Sequence, residues 1–249
     1  MDIRALKLTS RFALPPNSLG YCGKNTAPEK FKKCAVSGIC DGVEEEIGKF
    51  IVLCPYIKTI ASITGLPLFS HKVMEAYWLG NDELKRARPK HYKLLLKNFK
   101  KQGVPEWLVK ELVEKEPKKF IPTHLFQVLH VGVGRASGSV PFSLESIKNC
   151  MIRWGKVKKI KGTKMEIDLS SIKPFSPRHS EVHEPKNLVP YELTIEMKTL
   201  TFSRKFLGEI KVGDAVAVHW GQVVKILTEQ ETKKLAYWTN AVLKSLPKP

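Results

Sequence analysis

Val212-Gly213-Asp214-Ala215-Val216-Ala217-Val218-His219 is the stretch whose reading decides the fold. Gly213-Asp214 supplies a turn, and the small and β-branched residues after it read as a strand that ends on a histidine. Gln222 to Leu227 reads as the next strand. Upstream, Lys164-Met165-Glu166-Ile167-Asp168-Leu169 alternates as a half-buried strand does, and Leu193 to Met197 continues the pattern. Cys150-Met151-Ile152-Arg153-Trp154-Gly155-Lys156-Val157 opens this region. Thr228-Glu229-Gln230-Glu231 is a capping box that begins a helix with Leu235, Trp238, Val242 and Leu243 as its packing stripe. Short strands at this spacing predict an OB-like β-barrel with a C-terminal helix over residues 141–249.

The preceding half predicts helices. Val43 to Thr64 carries apolar residues on three-four spacing. Ser70 begins a helix that Gly80-Asn81 stops; Pro89 and Pro105 open two more, and Thr123 a fourth that ends before Gly132. Residues 1–27, broken by Pro15-Pro16, Gly20 and Gly23, read as an ordered loop or a short helix. Arg135 to Pro141 reads as a linker. The expected class is α+β: an all-helical domain over residues 1–140, then the barrel domain.

The chain has 249 residues and a formal charge of +18. That charge favours nucleic acid, anionic headgroups or an acidic protein without choosing among them. No apolar run is long enough for a membrane span, and the N-terminus lacks a secretory pattern, so a cytoplasmic protein is expected. The five cysteines are Cys22, Cys34, Cys40, Cys54 and Cys150. None forms a Cys-x-x-Cys pair, and all are expected to be thiols in a reducing compartment. Cys54 sits in an apolar helical run and reads as a small core residue.

Cys150 and His219 are the leading candidates for chemistry. A thiolate and an imidazole converging from two strands can hold a soft or borderline metal. The competing reading is a buried cysteine and a strand-end histidine bonded to backbone. Arg153 and the lysines beside it are expected to favour the thiolate. Cys22, between Gly20 and Gly23, is a further candidate, against a loop that only packs Tyr21. His71, His124 and His130 read as satisfied structural histidines, and His179 and His183 as loop residues.

Cys150, Gly155-Lys156-Val157, Val212-Gly213-Asp214, His219 and the helix after Thr228 resemble the hydrogenase-assembly chaperones of the HypC/HupF type. The resemblance implies that Cys150 and His219 carry an iron group. The whole chain also resembles an uncharacterised two-domain family found near nickel-iron hydrogenase genes. Arg11 to Asn17, Leu19 to Gly23, Glu75 to Asn81 and His219-Trp220 carry that likeness. The expected function is therefore a non-enzymatic accessory protein of hydrogenase maturation that works with a protein partner. The alternative is a nucleic-acid-binding protein that uses the basic stretch Arg153 to Lys164 and Trp154. A thiol enzyme with His219 as base ranks third.

Overall fold

A computed structural model of the chain describes residues 2–23, 26–174 and 191–246. It begins with a long helix, α1 (Ile3–Ser18), where the sequence suggested a loop or a short helix. Asp2 caps it by accepting from the Arg4 and Ala5 N–H groups, and its other oxygen accepts from His71 N–H. Ala5, Thr9, Phe12, Ala13 and Pro16 form the buried stripe at helical spacing. Pro15 and Pro16 do not stop the helix, because they fall in its last turn. They do remove two N–H donors, which leaves the carbonyls of Arg11 and Phe12 without helical partners.

Phe12 is fully buried and stacks on Trp78 at 5.2 Å. Truncating such a side chain to alanine costs about 3–5 kcal/mol, a large share of a typical stability of about 5–15 kcal/mol.

Further helices surround α1: α2 (Ala27–Ser37), α3 (Val43–Gly48), α4 (Leu53–Thr64), α5 (His71–Trp78), α6 (Tyr92–Gln102) and α7 (Glu106–Glu114). The short α8 (His124–Phe126) continues as a π turn to Gly132, and α9 (Leu144–Cys150) follows. Cys34 and Cys40 are not the thiols expected; they form a disulfide with Cα atoms 4.4 Å apart. Gly38, in the left-handed conformation at the end of α2, turns the chain back so that the two meet. Cys54 is buried in α4.

The second half is a single antiparallel sheet of β1 (Arg153–Lys161), β2 (Lys164–Pro174), β3 (Tyr191–Thr201), β4 (Ala215–His219) and β5 (Gln222–Leu227). Its order is β3-β2-β1-β4-β5, so β3 and β5 are edges with no ladder between them. The OB-like barrel is therefore corrected to an open sheet. Helix α11 (Glu229–Ser245) leaves β5 directly and touches both edge strands, which approach each other without forming a ladder. The short α10 (Arg204–Leu207) precedes β4. Residues 175–190, with His179 and His183, lie outside the described part.

The sheet's two faces do different work. Val157, Ile167, Leu169, Val216 and Val218 face one way and form a small core capped by Phe202, Leu207 and Ile210. Ala217, Ile172, Val224 and Leu227 face the other way and join the main core with the helices. His219 shares the parity of Ala215 and Ala217, so β4 delivers it to the helical half. That core runs across residue 140, where the domain boundary was expected. Trp238 of α11 closes over Gly80, where any Cβ would stand 2.4 Å from the indole. Among the described residues no helix is long and apolar enough to cross a membrane.

The stretch expected to be a linker is anchored. Arg135 grips Glu111 of α7 with two bonds, of 3.0 and 2.6 Å. That pair, with help from Lys115, holds the Glu111 carboxyl down to about 2. A carboxyl lowered on folding stabilises above its unfolded value, about 4.3, and that stability is lost as pH falls toward 2. Glu111→Gln should therefore cost about 1 kcal/mol at neutral pH. In urea titrations the gap from the parent should close between pH 5 and pH 2; a gap that does not change with pH contradicts the anchor.

Candidate metal centre

His219 ends β4 and is 1% exposed. Its Nδ1 lies 2.6 Å from the Phe12 carbonyl oxygen. That carbonyl is available because Pro16, four residues on, has no N–H to offer it. Nδ1 must therefore donate, and in a neutral ring Nε2 is left with a lone pair. Burial holds His219 neutral by lowering it to about 4. Among the described residues Nε2 completes no hydrogen bond of ordinary geometry, although the Cys150 carbonyl lies near it.

His124 is placed by the Thr123 N-cap, whose hydroxyl accepts from Phe126 N–H. Its Nδ1 is 2.9 Å from the Tyr77 hydroxyl, which in turn donates to Gln127 Oε1. Tyr77 accepts from Nδ1–H only in the tautomer whose Nε2 carries the lone pair. Nε2 stands 3.8 Å from the Cys150 sulfur and 2.8 Å from the Cys150 carbonyl oxygen. The 2.8 Å contact with the carbonyl calls for an Nε2–H, so without an ion His124 donates to Cys150; a cation at Nε2 selects the tautomer that frees it. Burial, then the neighbouring His219, pushes His124 well below the usual histidine range.

Cys150 is the last residue of α9, a helix held at its start by the Ser143 capping box. It is 8% exposed, and burial drives its thiol far above the ordinary range. A neutral thiol in that setting ionises when a metal displaces its proton. One ligand atom each from His124, Cys150 and His219 lies within 4.8 Å of the others. A tetrahedral ion with bonds of about 2.3 Å to sulfur and about 2.0 Å to nitrogen would separate such atoms by roughly 3.5 Å. Small side-chain shifts close that difference.

Above the three donors is a cavity of about 310 Å³, with apolar walls from Ala13, Phe50, Val52, Val128 and Val140. Cys22 also lines it, from a segment open to solvent. Enough protein surrounds the Cys22 sulfur to raise its thiol to about 11, but the exposed surface decides that reagents reach it. Trp220 takes φ +48° in the two-residue turn it makes with Gly221 between β4 and β5. A bulky residue there costs of order 1–3 kcal/mol. Its N–H donates to the Asn149 carbonyl at 2.8 Å, and its ring packs on Tyr21 at 4.7 Å. Its indole Nε1 is buried beside Cys150 without completing a hydrogen bond.

The structure thus brings Cys150 and His219 together and sets Cys22 in the wall of the same cavity. Arg153 is elsewhere. It shares the parity of Val157, its Nε donates to the Ser170 carbonyl, and its guanidinium pairs with Glu196. It therefore does not serve the thiolate as expected. His130 bonds Tyr92 at 2.8 Å and stays structural. The third donor, His124, was read as structural too; no spacing in the chain connects residues 124, 150 and 219.

Fold and site together define an α+β protein with a buried donor set of two imidazoles and one thiol. A family profile matches residues 2–248, and the chain belongs to that family, DUF6390, described as a family of unknown function. Neither the curated proteins nor the solved structures compared with the chain contain a match.

Nitrogen NMR of the imidazole rings tests the donor geometry. His219 should be protonated on Nδ1 and bare on Nε2 at neutral pH. The opposite tautomer would remove Nε2 as a ligand.

Proposed function

We propose that this protein binds one transition-metal ion through His124, Cys150 and His219, and holds it as an accessory protein of metalloenzyme assembly. The observation that carries the proposal is the unpartnered Nε2 of His219, fully buried and facing a thiol and a second imidazole. An unpaired buried acceptor costs about 1–3 kcal/mol, and an ion turns that cost into a bond. The backbone acceptor on His219 and the tyrosine on His124 are what metal-ligating histidines require of their other nitrogen.

The assembly role rests on the likeness of Cys150, Gly155-Lys156-Val157 and His219 to the HypC/HupF chaperones. Iron is the occupant that the likeness suggests, in a hydrogenase context. The donor set also suits zinc, nickel and copper, and so gives iron no preference. The nucleic-acid alternative gains no site. Lys158 pairs with Asp168 at 3.0 Å and Arg153 with Glu196, so part of the basic strand is answered by its neighbours. Trp154 packs against the core.

Protein purified without oxygen and loaded with ferrous iron or zinc should retain about one equivalent. His124→Ala, Cys150→Ala and His219→Ala should each weaken retention at least tenfold, while Cys22→Ala should keep it. Equal metal content in the parent and all three ligand variants contradicts the centre. Pro16→Ala adds a donor that competes with His219 for the Phe12 carbonyl and should weaken affinity about tenfold. Unchanged affinity there would separate the proline from the site.

A further inference from the structure

Among the described residues the centre has three protein donors, and a structural metal site ordinarily has four. The cavity of about 310 Å³ beside them falls at the lower end of the range of small-molecule pockets, about 300–1,000 Å³. It is far larger than one coordinated water needs, about 30 Å³. Its walls are mostly apolar, so water alone would leave that surface wet.

Charge sets the class of ligand. A divalent ion with one thiolate and two neutral imidazoles leaves one positive charge in a buried site. An unpaired buried charge is strongly unfavourable, and a monoanion removes it. Among the described residues the one acid in the cavity wall is Glu46, and it does not repel an anion. Lys30 holds it at 2.6 Å and Lys49 at 3.3 Å. The Trp220 indole adds a buried N–H to the same wall, close to the Cys150 sulfur but without a hydrogen bond of ordinary geometry among the described residues. A metal and an N–H donor side by side match the two oxygens of a carboxylate, one on each.

We propose that the open position of the centre, with the cavity above it, binds a small carboxylate with an apolar body. The proposal rests on the metal centre described above. One carboxylate oxygen completes the coordination, the other accepts from Trp220 Nε1, and the chain fills the space between Phe50, Val52, Val128 and Val140. The ligand enters past Cys22. On this reading the strained conformation of Trp220 is kept because it aims the indole at the ligand.

The test uses cobalt(II)-loaded full-length protein without oxygen, titrated with acetate, butanoate and hexanoate and followed by the visible spectrum of the ion. The spectrum should change with each acid. Affinity should rise about fourfold for each added methylene that the cavity covers. Trp220→Phe should weaken hexanoate about tenfold. Ala136→Phe, which fills the cavity from its wall, should abolish the response. In both variants the acid-free cobalt spectrum reports an intact centre. A parent spectrum that forms but ignores all three acids overturns the ligand proposal and leaves the centre standing. Affinity independent of chain length, or unchanged in both variants, also overturns it. Failure of the parent to bind cobalt overturns both.

Discussion

The bond from His219 Nδ1 to the Phe12 carbonyl is the constraint on which the rest of the site depends. A typical hydrogen bond adds only about 1 kcal/mol to stability. Its importance here is orientation. It joins the first helix to the fourth strand, across most of the chain, and it decides which imidazole nitrogen is bare. Two features upstream make it possible. Pro16 leaves the carbonyl free in the last turn of α1, and the Phe12–Trp78 stack holds that turn against α5. The prolines that look like a helix stop are, in this structure, the source of an acceptor.

A second constraint is burial. His124, Cys150 and His219 are all shielded from solvent, so each prefers its neutral form. The His219 imidazole is a ready ligand as it stands, whereas His124 must release the Cys150 carbonyl and the thiol must lose a proton when the ion arrives. The cavity above them is walled by α1, the α3–α4 connection and the segment after the π turn, with Arg135 and Glu111 pinning the last of these. The disulfide between Cys34 and Cys40 ties the end of α2 to the approach to α3, whose Glu46 lies in the same wall.

Much of the fold was legible because its signals are local. Proline near the start marked α6 and α7, glycine beyond the end marked α6, and alternation marked β2 and β3. Closure of the sheet was not legible, since it depends on whether β3 meets β5, and strand periodicity is the same in an open sheet and a barrel. The length of helix α1 was missed, since the reading allowed only a loop or a short helix, because Pro15-Pro16 was weighed as a breaker without asking where in a turn it fell. Arg153 was assigned to the thiol although its parity with Val157 placed it on the other face, a conclusion that period two allowed. His124 was out of reach: it meets the other two donors only through packing of α5, α8 and α9. The Cys34–Cys40 pairing follows from the reversal at Gly38, which is a matter of backbone conformation rather than of spacing.

X-ray absorption at the edge of the bound metal tests the central claim most directly. It should show one sulfur neighbour at about 2.3 Å and two imidazole nitrogens at about 2.0–2.1 Å, with the sulfur lost in Cys150→Ala. A shell of oxygens alone, or a sulfur that survives that substitution, would contradict the account.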